Sequence, residues 1–198
     1  MTGMERNSAV IVMSSYAPLL VNVNPGGMQW KTDLIGYDVL SAYGSPAYHA
    51  QQMFSANHGD VVLPIEAQDV PTREWQPPTP RARPGTPAPA TPPVAPPVQQ
   101  VPTLFFNATR DSKTGVIYLK IVNRASKGQP VRVEIAGLAA VASKGQSITL
   151  RAGSADDTNT IAQPNRLVPV TAAADGLGNR FLRTFAPYSI TVLRINGR

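Results

Sequence analysis

The chain has 198 residues, of which 42% are hydrophobic, with a net charge of +6 and no cysteine. That length suits one ordinary domain or two small ones, and the lack of cysteine excludes disulfides and thiolate chemistry. Residues 1–98 hold five Lys/Arg against seven Asp/Glu, and residues 99–198 hold thirteen against five. The cations of the second half are spaced singly, as at Arg110, Lys113, Lys120, Arg124, Lys127 and Arg132. With no aromatic platform between them, they predict a solvated face and exclude a nucleic-acid site.

The opening MTGMERNSAVIVMSS has no basic region ahead of an apolar core and no small-residue cleavage site, so it is not a secretory signal. No apolar run approaches the ~20 residues that span a bilayer, and a soluble chain is expected. In MERNSAVIVMSSYA, Ala9, Val10, Met13, Tyr16 and Ala17 recur at helical spacing, which predicts a helix that Pro18 stops. LLVNV then reads as a short buried strand, with Leu19, Val21 and Val23 on one side and Leu20 and Asn22 on the other. It runs into the loop Asn24–Asp33, which carries Gly26-Gly27, Gln29 and Trp30. After the loop, Ser45-Pro46 starts a second helix, because Ser caps the free amides and Pro fits the first helical position. Ala47, Ala50, Met53 and Phe54 give it an apolar side, and Asn57-His58-Gly59 closes it. Helix, strand, loop, helix over residues 1–69 is an α/β pattern, but with one strand it is a fragment.

Residues 70–102 are dominated by proline: twelve of the twenty prolines lie between Pro71 and Pro102. Proline lacks the backbone donor and favours extended polyproline II, so a semi-rigid tether without ladders is expected. Residues 103–198 read as all-β. LFFNAT, GVIYLKIVN, PVRVEIAG, SITLR, RLVPV, FLRTF and SITVLRI are short strands separated by turns, as in an antiparallel sandwich. Val131, Val133 and Ile135 alternate with Arg132 and Glu134, while Ile190, Val192 and Arg194 share one face of the last strand. The fold class expected is therefore mainly β, an antiparallel sandwich behind a small α/β fragment.

Chemistry is sparse. Glycoside hydrolysis needs two carboxyl groups at a fixed separation, and none of Glu5, Glu66, Glu74 and Glu134 sits at a strand end with a partner. No catalytic residue can be named. His49 and His58 point to different sides of a helix and its end, and Asp156-Asp157 reads as a polar turn, so no metal site or cofactor is implied. The loop Asn24–Asp33 admits two readings. In one, Gly26-Gly27 only make a turn and Trp30 packs in a core. In the other, Trp30 is an apolar wall for a sugar face, while Gln29, Asp33 and Asn22 offer hydrogen bonds to hydroxyls.

The ordered series MERNS, SYAPL, NV, W–DLI–YD and YGSPAYHAQQMFSANHGDVVLP resembles the C-terminal part of α-L-arabinofuranosidases of glycoside hydrolase family 51. LFFNATRDSKTGVIYLKIVN and FAPYSITVLRI resemble the β-sandwich of the same proteins. The resemblance covers nearly the whole chain apart from the proline tether. It implies a (β/α)8 barrel followed by a sandwich, with both catalytic glutamates of the retaining reaction on barrel strands upstream of this segment. Met4–Leu19 would then be a late barrel helix, LLVNV the final barrel strand and Ser45–Asn57 the helix after it. The loop through Trp30 would line the arabinofuranose pocket. The implied partners are an arabinose-bearing polysaccharide or oligosaccharide and a separately encoded barrel half; neither nucleic acid nor membrane is implied. Two other readings compete: a free-standing carbohydrate-associating module, and a basic cell-envelope protein with a proline-rich spacer.

Overall fold

The computed structural model describes residues 1–28, 33–79 and 94–197. Its frame is a six-stranded sheet formed by β4 (Val61–Val62), β7 (Leu104–Arg110), β8 (Val116–Asn123), β10 (Lys144–Arg151), β11 (Val170–Asp175) and β13 (Ser189–Asn196). They lie in the order β11-β10-β13-β8-β7-β4, and every pairing is antiparallel. A two-stranded sheet of β9 (Gln129–Glu134) and β12 (Arg180–Phe185) packs over one face. This is the expected sandwich, and seven of its strands lie within residues 103–198.

Period-2 alternation sorts the large sheet into two cores. Leu104, Ala108, Ile117, Leu119, Ile121, Leu193 and Ile195 face Phe181 and Phe185 of the small sheet, with Val131 and Val133 packed against them. The alternate residues Ile190 and Val192 point the other way and join Leu150, Tyr118 and Met53. Both faces are thus apolar, and both must be covered. The β7–β8 hairpin is set by Asp111, whose Oδ1 accepts from the amides of Lys113 (2.9 Å) and Thr114 (2.8 Å). Gly115 follows at φ +76°, in the left-handed region that glycine reaches without a Cβ penalty.

The second face is covered by residues 1–69. Helix α2 (Pro46–Ser55) forms where Ser45-Pro46 predicts it, and Ser45 Oγ accepts from the Tyr48 amide at 3.3 Å. It buries Met53 and Phe54. Beyond its end, Asn57 donates to Met53 O (2.7 Å) and accepts from Arg194 Nε (2.6 Å), which ties the helix terminus to β13. Gly59 then passes so close to Arg110 that an added Cβ would stand 2.1 Å from a backbone carbon. Only glycine permits β4 to reach the edge of β7.

Four expectations are corrected. The first helix, α1, spans Thr2–Arg6 and no further. Asn7 ends it by donating from its side chain to Gly3 O at 2.7 Å. The β-branched run Val10-Ile11-Val12 and Ser14-Ser15 disfavour continuation, since such residues lose rotamer freedom or bind nearby backbone instead. The apolar residues of that stretch are left at the surface, with Val12 93% exposed and Met13 89% exposed. Second, the strand LLVNV is not alone. β1 (Leu20–Asn22) pairs in parallel with β2 (Ile35–Tyr37), which pairs antiparallel with β3 (Ala42–Gly44). Third, the proline-dense segment does form a ladder: β5 (Thr72–Trp75) pairs with β6 (Gln99–Pro102). The paired stretches are the ends of the segment, where the one proline, Pro102, stands at the last position of β6, so no missing donor interrupts the ladder inside it. Fourth, RLVPV is not a strand. Leu167 is held by Asn159, which accepts from its amide at 2.7 Å and donates to its carbonyl at 2.9 Å, and β11 begins only after Pro169.

Lys120 is a further departure from the solvated face. It lies at the centre of β8, opposite Val192 on one side and Asn107 on the other, and is 0% exposed. Its Nζ pairs with Glu5 Oε1, and Asn107 Nδ2 donates to Glu5 Oε2 at 2.8 Å. The Phe54 ring lies 4.8 Å from Nζ. Burial holds the ammonium below the ordinary lysine range, and the hydrogen bond and charge of Glu5 pull it partly back. A buried charge stripped of its partner is costly, whereas removing both charges is often neutral. Glu5→Ala should therefore cost about 2–4 kcal/mol in denaturant unfolding, and Glu5→Leu/Lys120→Met should recover most of it. Equal losses in the single and double variants would refute a coupled pair.

Candidate functional site

The candidate site is built around the crossover between β1 and β2. Val23 N donates to Tyr37 O at 2.9 Å, which extends the parallel pairing and places the loop at the carboxyl end of β1. Asn22 sits at that end. Its Oδ1 accepts from the backbone and side-chain amides of Asn24 at 3.0 and 2.9 Å, and Gly27 N donates to Asn24 O at 2.8 Å. Gly26 adopts φ +78°, so the turn reading of Gly26-Gly27 is correct as geometry. The Asn22 oxygen is spent on shaping the loop. Gln29 and Trp30 lie outside the described residues.

Asp33 closes the loop. Its backbone oxygen accepts from Ser45 Oγ at 2.8 Å, the same hydroxyl that caps α2. Ser45 N in turn donates to Leu34 O at 2.9 Å. One serine thus joins the loop end to the helix that covers the sandwich. The Asp33 residue is 7% exposed, and among the described residues its Oδ2 has no hydrogen-bond partner. Desolvation raises its pKa above the ordinary value of 3.8. Tyr43 on β3 is also buried, and its phenol is raised first by desolvation and then by the nearby Asp33 carboxylate. The Tyr43 ring lies flat across Gly36 of β2, where an added Cβ would stand 2.4 Å from Cζ. Glycine at 36 is what lets the phenol lie across the small sheet.

The structure does not bring Asn22 and Asp33 together: Asn22 lies at the carboxyl end of β1, level with Tyr37, whereas Asp33 lies just before the amino end of β2 beside Ser45. Tyr43 is a residue that sequence reasoning missed, and Ser45 figures there only as a helix cap. The alternation Tyr43-x-Ser45 directly before a helix-starting proline was the available signal. A buried carboxyl beside a phenol can accept and donate hydrogen bonds to a hydroxylated ligand. It lacks the second carboxyl group that glycoside hydrolysis needs. None of the four glutamates supplies one: Glu5 is taken by Lys120, Glu66 and Glu74 are exposed, and Glu134 pairs with Arg180 at 3.6 Å. Asp156-Asp157 is a polar turn in which Asp157 Oδ2 accepts from the Gly153 amide (2.8 Å) and the Ser154 amide (3.1 Å). Among the described residues no group of three potential metal ligands gathers, and no helix is long and apolar enough to cross a membrane.

The fold defines a β-sandwich module with a strand–loop–helix unit docked on its outer face. The family model described as the α-L-arabinofuranosidase C-terminal domain matches residues 1–189, and the chain belongs to that family. The extracellular exo-α-L-arabinofuranosidase of Streptomyces chartreusis is 41% identical over 71 residues, which is 36% of this chain and 8% of that protein. α-L-Arabinofuranosidase A of Aspergillus kawachii is 48% identical over 67 residues, which is 33% of this chain and 10% of that protein. A solved arabinose-bound α-L-arabinofuranosidase of glycoside hydrolase family 51 matches 100% of this chain with a TM-score of 0.73 and 27% identity. This chain covers 26% of that structure. The chain thus spans a minor part of the length of each of these relatives.

Because the Asp33 pKa is raised, the folded state binds its proton more tightly than the unfolded state does, and the stability so gained fades as pH rises through the folded value. Asp33→Asn should accordingly stabilise the chain at pH 7 and lose that advantage below the unperturbed value of 3.8. Thermal unfolding of the two proteins across pH measures the difference; a parent that is the more stable at pH 7 would contradict the assignment.

Proposed function

We propose that this chain serves an α-L-arabinofuranosidase as the part that walls one side of the arabinofuranose pocket and carries the sandwich. In this reading it contributes binding contacts, and the acid and nucleophile of the retaining reaction are supplied by barrel strands outside it. The activity is release of terminal α-L-arabinofuranosyl residues from arabinose-bearing polysaccharides or oligosaccharides. The observation that carries the reading is the family match over residues 1–189, a span that takes in both the loop and most of the sandwich.

Roles follow residue by residue. Asp33, with Tyr43 behind it, is a hydrogen-bonding wall for sugar hydroxyls. Asn22 holds the loop and offers its amide hydrogens. Gln29 and Trp30 complete the pocket, the indole against the sugar face. Residues 1–69 belong with a barrel, residues 70–102 form the connection, and residues 103–198 are the sandwich domain.

The chain alone should not turn over an aryl α-L-arabinofuranoside, and supplying a barrel half that carries both glutamates should give activity. In the completed enzyme, Trp30→Ala and Asp33→Ala should each raise KM, by about tenfold for the loss of one well-placed contact. Turnover by the chain alone would overturn the division of labour, and unchanged kinetics in both variants would remove the loop from the pocket.

A further inference from the structure

A cleft of about 610 Å³ lies at the end of the large sheet, bordered on one side by Pro46 at the start of α2. Four cations line it: Arg73, Arg124, Lys127 and Arg151. They come from three separate places, namely β5, the turn between β8 and β9, and the end of β10. Sheet register gathers the last two, because Arg151 pairs with Ser189 and Ser189 pairs with Asn123, the residue before Arg124. The acid in the lining is Asp157, and its carboxylate is already taken by the Gly153 and Ser154 amides and by Arg166 at 3.2 Å. Among the described residues none of the four cations is ion-paired.

Hydrogen bonds fix the turn that presents Arg124 and Lys127. Buried Asn123 donates to Lys127 O, Phe185 O and Ala186 O, and accepts from Ala125 N at 2.9 Å. Its amide therefore pins the whole turn that carries Arg124 and Lys127. Tyr188 lines the cleft at φ +45°, a strained conformation for an aromatic residue. It is held there by its amide donating to Ala125 O (3.2 Å) and its carbonyl accepting from Ala152 N (3.0 Å). Strain held by surrounding bonds clusters at ligand-contacting sites.

We propose that this cleft binds the carboxylates of an acidic polysaccharide, a uronate-bearing chain, at a site separate from the arabinofuranose pocket. Fixed backbones presenting arginines suit carboxylates, which accept two parallel hydrogen bonds from a guanidinium. The hydroxyls of Thr72, Ser126 and Ser154 and the Tyr188 ring add the mixture of polar groups and one aromatic face that a sugar needs. A nucleic acid fits less well, because one aromatic residue gives no succession of stacking platforms. The positive charge of the cleft stands by itself; the choice of a sugar acid as occupant rests on the arabinofuranosidase reading.

Affinity electrophoresis of the 198-residue chain in gels containing polygalacturonate tests this, and needs no glycosidic turnover. Retardation is expected in polygalacturonate and not in neutral arabinan, and it should weaken with added salt. Arg124→Gln/Arg151→Gln should weaken binding on the order of tenfold. Arg132→Gln/Lys144→Gln, which removes the same charge from exposed positions outside the cleft, should leave it within about twofold. No retardation, equal retardation by arabinan, or equal loss in both variants would overturn the site. Tighter binding of a single-stranded oligonucleotide than of polygalacturonate would overturn it too and assign the cleft to nucleic acid. Inactivity towards arabinofuranosides bears on the function proposed above and leaves this binding result standing.

Discussion

The buried charge at the centre of β8 is the constraint on which the rest depends. An ammonium placed mid-strand, between a valine and an asparagine, cannot stay on a two-sided apolar sheet unless something brings it a carboxylate. Glu5 does so from α1, Asn107 fixes the second carboxylate oxygen, and Phe54 of α2 covers the cation. One network therefore holds both helices of residues 1–69 against the sandwich. A more apolar residue at 120 would pack as well, but it would not select Glu5. Buried ion pairs contribute little net stability, and their best-attested use is to fix register. Here the register is that of an N-terminal strand-and-helix unit against a strand whose Lys120 lies 115 residues after its partner Glu5 in sequence.

The positioning of the loop follows from that docking. α2 is fixed at its far end by Asn57 and Arg194, and at its near end Ser45 caps the helix while holding the Asp33 carbonyl. Asn159, fully buried, adds a bond to Gly44 O at 2.8 Å from the sandwich side. The small sheet is thus gripped from both sides, which keeps the Asp33 carboxyl beside the Tyr43 phenol. The sandwich contributes no group to that pair. Its role is to hold the wall in place.

Charge acquires meaning in the same way. Read along the chain, the cations of residues 99–198 are evenly scattered. In three dimensions they divide: Lys120 is sealed inside, Arg194 braces α2 and stands 6.0 Å from the Tyr118 ring, Arg180 pairs across β9–β12, and Arg124, Lys127 and Arg151 gather in one cleft, where Arg73 of β5 joins them. Strand register performs that sorting, because residues far apart in sequence become neighbours in one row of a sheet.

The sandwich was legible because its strands alternate with period 2, as in Val131-Arg132-Val133-Glu134, and because helix α2 carries its start signal in Ser45-Pro46. The small site was partly legible: Asp33 and Asn22 stood out as polar groups flanking the loop, whereas Tyr43 lay in a three-residue strand whose one signal was the alternation Tyr43-x-Ser45 before Pro46. The stretch after Arg6 misled because its apolar spacing is helical while its residue types are β-branched, and propensity prevailed where no packing partner rewarded a helix. By itself the sequence determined the fold class and the membership in a family of arabinofuranosidases, since periodicity, motif order and residue type are local properties. The tertiary structure alone decided that Lys120 is buried, that Ser45 joins the loop to a helix and that a basic cleft exists. Each of these depends on which strands are neighbours, a property set by long-range burial and not by the residues at hand.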